Sequence, residues 1–172
     1  MAVDQTTGNM TPHGSLNDHA DDHQSGLSGE GSAMSVVARM YECFNKADLG
    51  TIKSEIFAPD IKWNLPGRHP LAGTKNGADE VLAFFHQLNK TGIQVDLVKI
   101  EGWTDDIVVE VHRGHGEAAG HTLDGLNCTH YHVNGGKITE VQVYVSDQYH
   151  LDNFFNAVVE YAPIPQRLKD PS

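Results

Sequence analysis

Basic side chains are scarce. Only 12 Lys and Arg stand against 23 Asp and Glu in 172 residues, for a formal net charge of -11. A chain this acidic repels phosphate backbones, and no basic run interleaved with aromatics offsets that, so no nucleic acid partner is expected. No apolar run approaches the ~20 residues of a membrane span, and no secretory h-region is visible. A cytoplasmic protein with no membrane partner is therefore expected. The two cysteines, Cys43 and Cys128, have no C-x-x-C spacing and are read as reduced core thiols, although spacing alone leaves a disulfide between them open. No Gly-rich loop has P-loop or dinucleotide spacing, and no cofactor is expected.

Large apolar side chains are nearly missing from residues 1–33, which carry Asp4, Asp18, Asp21, Asp22 and Glu30 but no Lys or Arg. Such a segment cannot bury enough surface to offset its ordering entropy, which predicts a disordered acidic tail. Within it, Asp18-His19-Ala20-Asp21-Asp22-His23 has metal-ligand residue types, yet each ligand would have to be ordered at binding, and a solvated tail is the expectation. The folded domain is expected over 34–160, with a C-terminal tail over 161–172 once Pro163 and Pro165 interrupt the pattern.

What is present is periodic. Val37, Met40, Phe44 and Ala47 recur at helical spacing, with Ser32 or Ser35 as cap and Gly50 past the end. Thr51–Phe57 predicts a second short helix, stopped by Pro59. Next comes the stretch around which the chain is organised, Asp60 to Gly73. A short alternating strand, Ile61–Leu65, ends in an aromatic and an amide and runs into a Pro/Gly-punctuated loop. A helix then begins near Asn76, with Asp79 and Glu80 in its first turn, Val81, Leu82, Phe84, Phe85 and Leu88 on its apolar side, and Gly92 past its end. After Gly92 the period drops from about 3.6 to 2. Ile93–Ile100, Ile107–Arg113, Leu126–Val133 and Lys137–Val145 alternate, and Asn134-Gly135-Gly136 predicts a tight hairpin between the last two. Asp147 caps a final helix through Leu151, Phe154, Phe155 and Val158. Helices first and a meander afterwards argue an α+β fold, a curved, mostly antiparallel sheet wrapped on helices.

This order of elements resembles the nuclear transport factor 2-like superfamily, and within it the SnoaL-like group. The residues that carry the resemblance are Phe44–Leu49, Trp63-Asn64-Leu65-Pro66-Gly67, Pro70-Leu71-Ala72-Gly73, Gly77 with Val81–Phe85, and Asn134–Glu140. It implies a cone: N-terminal helices packed in a strongly curved sheet with an internal pocket for a small apolar metabolite, often dimerising through the sheet face. It leaves the reaction open, because isomerases, cyclases, epoxide hydrolases, dehydratases and non-enzymatic carriers share the fold.

Carried over residue by residue, the catalytic groups of that superfamily are missing here. The carboxylate base of ketosteroid isomerase matches Asn64, and its oxyanion-hole tyrosine and aspartate match Met40 and Thr129. The catalytic Asp of SnoaL-type polyketide cyclases matches Val143, as does the last Asp of the Asp–Arg–Asp relay in limonene epoxide hydrolase. That enzyme does share Asn64, whose counterpart helps to position the attacking water.

The remaining candidates come from strand alternation. Glu110 and His112 share one face of a strand, so Glu110 orients His112 as a general base if that face lines the pocket. In the alternative, which a polar, solvated sheet face favours, Val109 and Val111 face the core and Glu110 and His112 face water or a dimer partner. On Cys128–Val133, the resemblance turns Thr129, Tyr131 and Val133 inward, where Tyr131 is either a hydrogen-bond donor to ligand or a core tyrosine. His112, His115 and His121 have metal-ligand types, but Gly114, Gly116 and Gly120 predict a turn there, and no metal is expected. Arg68 and His69 either rim the pocket or sit in a solvated turn. Gln142 and Tyr144 are expected to face outward, toward a homodimer partner. The expected roles are Asn64 as positioner, Tyr131 as donor, His112 with Glu110 as acid/base pair, Trp63, Met40 and Phe84 as walls, and His69 and Thr129 as further ligand contacts.

Overall fold

The computed structural model describes residues 31–160. The expectations for the acidic tail, its Asp18–His23 cluster and the last twelve residues lie outside the described residues. Helix α1 (Ala33–Asn45) is capped by Ser32, the first of the two expected caps, whose hydroxyl accepts from the Ser35 amide at 3.2 Å. It buries Val37, Met40, Tyr41 and Cys43. A single turn, α2 (Leu49–Thr51), is capped by Asp48, and a π turn over Ile52–Ile56 stands where a helix over Thr51–Phe57 is expected.

Strand β1 (Phe57–Leu65) begins at Phe57 and contains Pro59, which had been expected to stop a helix. The register of β1 shifts between Phe57 and Lys62, so the missing proline amide falls where the ladder is already broken. The loop expected after Leu65 closes sooner than anticipated: Gly73–Asn76 forms β2, antiparallel to β1. Then follow α3 (Ala78–Lys90), β3 (Gln94–Gly102), β4 (Ile107–Ala118), β5 (His121–Asn134), β6 (Lys137–Val145) and α4 (Gln148–Val158). Asp147 caps α4 through the His150 amide at 2.9 Å.

The six strands form one sheet in the order β2-β1-β6-β5-β4-β3. Every pair is antiparallel except β1 with β6. The sheet is curled but not closed, and the helices fill its concave side. The turn expected around Gly114–Gly120 is instead continuous ladder, Gly114 opposite Gly125 and Gly116 opposite Leu123, up to a hairpin at Ala119-Gly120. The reason is close packing: a Cβ on Gly116 would stand 3.1 Å from the Gly92 carbonyl oxygen, so the glycine lets the chain after α3 cross the strand. His115 accordingly pairs with Asp96 at 2.8 Å, and His121 is exposed.

Candidate functional site

Pairing between β4 and β5 decides which side chains meet. Val108 stands opposite Tyr131, Glu110 opposite Thr129 and His112 opposite Asn127. These residues take the concave face, and Val108, Glu110, Thr129 and Tyr131 are each at most 1 % exposed. Glu110 and His112 therefore point inward, and Val109 and Val111 belong to the convex face, the reverse of the arrangement that a solvated polar face had favoured. Across β5, Val141, Val143 and Val145 of β6 stand opposite Tyr131, Thr129 and Asn127. A polar patch five residues wide is thus framed by valines.

His112, Asn127, Thr129 and Tyr131 of the patch look into a cavity of about 100 Å³ between the sheet and α1, α3 and α4; Glu110 is not among its lining residues and reaches it only through His112. Its walls are apolar: Met40 and Phe44 of α1, Phe84 of α3, Trp63 of β1, Val143 of β6, and Leu151 and Phe155 of α4. Trp63 packs edge to face on Tyr131, with centroids 6.0 Å apart. The expected walls Met40, Trp63 and Phe84 and the expected contacts Thr129, Tyr131 and His112 all line this cavity.

Two hydrogen-bonded pairs organise the polar groups. The Glu110 Oε1 lies 2.9 Å from His112 Nδ1, and the Glu110 side chain is fully buried. With Nδ1–H donating to Oε1, Nε2 is left as an acceptor, and the Asn127 amide donates to it at 3.3 Å. Each ring nitrogen thus has an assigned role. On the other side, the Tyr41 and Tyr131 hydroxyls meet at 3.1 Å. Burial, and then the neighbouring Tyr131 and Glu110, hold the Tyr41 phenol well above its ordinary range; burial and Glu110 do the same for Tyr131. Both are neutral hydroxyls at any ordinary pH. Trp63 Nε1, Thr129 Oγ1 and Glu110 Oε2 are buried and make no hydrogen bond of good geometry. Glu110 lies within side-chain hydrogen-bonding reach of Tyr41, and Thr129 of Tyr131, so the tyrosine pair offers both side chains a partner.

Two expected site residues lie elsewhere. Asn64 alternates with the inward Trp63 and Leu65, so it faces the convex side, where its amide donates to Gln142 Oε1 at 2.9 Å and its carbonyl accepts from Thr74 Oγ1 at 3.1 Å. It is a rung of cross-strand bonding and has no approach to the cavity. His69 is buried, but against Phe155 at a centroid distance of 4.8 Å, with Nδ1 accepting from the Leu71 amide at 3.2 Å. It holds the loop after β1 onto α4 and does not line the cavity. The same junction is bonded through Asp152, which accepts from the Arg68 amide at 3.1 Å and from Gln148 Nε2 at 2.8 Å.

Two groups of the site went unread in the sequence. Tyr41 stands four residues after Val37, on the same helix face, and supplies a phenol one position after Met40, where the superfamily comparison had found none. Asn127 stands two residues before Thr129, and strand alternation alone would have placed it beside Tyr131's face.

Comparisons with known proteins agree with this architecture. The family model described as a SnoaL-like domain matches residues 37–141. An uncharacterized protein of Mycobacterium tuberculosis is 30% identical over 125 residues, covering 71% of this chain and 95% of its own length. Among solved structures, Bal32a from a soil-derived mobile gene cassette superposes with a TM-score of 0.67 at 28% identity, covering 72% of this chain and 95% of that one. An NTF2-like protein from Burkholderia xenovorans superposes with a TM-score of 0.64 at 20% identity, covering 76% and 99%, which speaks for the fold alone. The chain belongs to the SnoaL-like domain family, and its fold is that of NTF2-like proteins.

Proposed function

We propose that the protein is an enzyme that moves a proton on a small, largely apolar metabolite held in the concave cavity. The observation that carries this reading is the Glu110–His112 pair: a carboxyl and an imidazole bonded at 2.9 Å on the inner face of a sheet, where burying a polar pair is costly unless it serves a purpose. His112 Nε2 is the base. Glu110 fixes its tautomer through Nδ1, and the Asn127 amide is the placeholder that a ligand group displaces. The same imidazole returns the proton to a second ligand atom and is neutral again, while the Tyr41 and Tyr131 hydroxyls, which keep their protons, hydrogen-bond the charge that builds on the ligand. One base that takes and gives back a proton suits isomerisation, in which the proton leaves one ligand atom and is delivered to another nearby.

The test is turnover of carbonyl, enone and epoxide compounds by the wild type and by His112→Asn, which keeps a polar side chain of similar size. A fall of about 10²–10⁴-fold at an unchanged melting temperature is expected. Turnover of an identified substrate that survives His112→Asn sinks the assignment.

A second reading, a non-catalytic carrier, draws on Met40 and Val143, apolar cavity walls where related enzymes place catalytic groups. Tight binding of a compound that emerges unchanged would favour it.

As partner we propose a second copy of the chain on the convex face. Leu126 and Tyr144 are 52% and 57% exposed there and line a groove with Val111 and Cys128. His130 and His132 lie on that face next to Glu140, so a two-fold arrangement can set imidazole against carboxylate. Among the described residues no helix is long and apolar enough to cross a membrane.

A further inference from the structure

The sheet has two edges, and they differ. β2, at one end, is four residues long, too short to template another strand. β3, at the other, runs for nine residues, and among the described residues no strand lies beyond it. An edge strand presents a row of amides and carbonyls for a further strand to bond. Leu97 and Val98, 38% and 59% exposed, add apolar side chains to that row. Such an edge is ready to take up another chain by main-chain pairing.

The register with β4 says which chain. Leu97 stands opposite His112 and Lys99 opposite Val111, so Val98 is left over as a bulge. The bulge changes which side chains share a face. Val95 and Ile100, opposite Gly114 and Glu110, both look to the concave side, and Asp96 and Lys99, opposite Arg113 and Val111, both look to the convex side. In an unbulged strand the members of each pair would look opposite ways. A two-fold axis perpendicular to a sheet at its edge keeps each face on its own side, so residues that meet across it must look the same way. An antiparallel pair of β3 strands centred between Leu97 and Val98 meets that condition. It sets Asp96 against Lys99 and Val95 against Ile100, acid on base and apolar on apolar, once on either side of the axis. Moving one copy by a single residue sets convex side chains against concave ones; moving it further sets Asp96 against Glu101, or against Leu97 of the other face.

We infer that β3 pairs antiparallel with β3 of a second copy, centred on the bulge at Leu97 and Val98, and so joins two curled sheets edge to edge. A lysine and a bulge ordinarily blunt an edge against indiscriminate pairing; here a copy of the same strand matches both. Asp96 bonds His115 and Lys99 bonds Glu101, each at 2.8 Å, but these are exposed pairs that trade partners at little cost. The contact is separate from the convex-face pairing and smaller, one strand a side, so it forms at concentrations on the order of 10⁻⁴ M, above those the face pair needs. Val95 is also a cavity wall, which brings Ile100 of the second copy beside the ligand site.

Amide exchange over 94–101 of the full chain, read by mass spectrometry from about 5 to about 500 μM, tests strand addition directly, because pairing on the convex face leaves the outer amides of β3 open. Protection that rises with concentration is expected. Outer amides already protected at the lowest concentration would put a segment of the same chain on the edge, and amides that stay fast at the highest would leave the edge unpaired; either result overturns the proposal. Charge tests the register. Asp96→Lys and Lys99→Asp each set like charges across the axis and are expected to weaken the association about tenfold, and the two together to restore it to within about threefold of the wild type. Single variants that pair like the wild type, or a double variant no better than either single one, overturn this register. Tyr144→Lys should leave the protection of β3 unchanged, so the edge and the convex face stand or fall separately.

Discussion

The hydroxyls of Tyr41 and Tyr131, from residues 90 apart in the chain, meet at 3.1 Å, and both side chains line the cavity. Both phenols are pushed well above their ordinary value of 10.0, chiefly by burial. The folded state thus holds these protons more tightly than the unfolded chain does. Their contribution to stability is fully present below pH 10 and is lost as pH rises beyond it, by up to about 1.4 kcal/mol per pH unit for each group. In a spectrophotometric titration, two of the five tyrosines should stay un-ionised until the fold opens. Tyr131→Phe should bring the alkaline unfolding midpoint up.

Glu110 is a positioning residue, acting through His112. Glu110→Gln keeps an acceptor oxygen at Nδ1 but removes the charge, so turnover should fall less than in His112→Asn. The 15N shift of His112 Nε2 should remain that of an unprotonated nitrogen. Glu110→Leu frees Nδ1 and should let the ring populate the other tautomer, a change that a purely structural role would not produce.

Asn64 should prove structural. Asn64→Ala removes the bonds to Gln142 and Thr74 and is expected to cost about 1–2 kcal/mol in denaturant unfolding, with ligand affinity unchanged. A selective loss of affinity or turnover at full stability would return Asn64 to the site.

Gly67→Ala tests the junction between the loop after β1 and α4. Gly67 has φ 131°, and a Cβ there would meet Asp152 Oδ1, with Gln148 Nε2 and His69 Cδ2 each at 2.6 Å. We expect a loss of about 2–3 kcal/mol from overpacking, and weaker ligand binding because Leu151 and Phe155 of α4 are cavity walls. A melting temperature equal to the wild type would show that the junction yields.

Tyr144→Lys places a charge in the middle of the convex face and should shift sedimentation from dimer to monomer without changing the near-ultraviolet signal of the core. Dimers of undiminished strength would move the interface elsewhere.

Helices α1, α3 and α4 and the β5–β6 hairpin were legible because their signals are local, whereas the helix expected over Thr51–Phe57 is a π turn that runs into β1. Asp147 caps α4, and Gly135 and Gly136, both at positive φ, make the tight turn that Asn134-Gly135-Gly136 announces. β2 was illegible: Gly73–Asn76 has no alternation of its own and is a strand only because β1 is there to pair with it. The far ends of β4 and β5 hid behind glycines, which speak for turns locally and serve close packing here. For the site, the same alternation that put Thr129 and Tyr131 together was decisive, but for Glu110 and for Asn64 the face remained open until pairing fixed it. Periodicity says which residues go together, not which way they look. That Trp63 rather than Asn64 looks inward follows from Ile61, Trp63 and Leu65 all being buried, a pattern present in the sequence and outweighed there by the resemblance.

The parallel pairing of β1 with β6 has a kinetic consequence. Asn64 and Gln142 are 78 residues apart, whereas β4, β5 and β6 follow one another through tight hairpins. Long loops close late, so the meander is expected to form the nucleus, with β1 docking after the main barrier. Trp63, and with it the cavity, arrives with β1. Ligand then has nothing to hold in the transition state, and saturating ligand should slow unfolding while leaving the refolding arm of a chevron where it was.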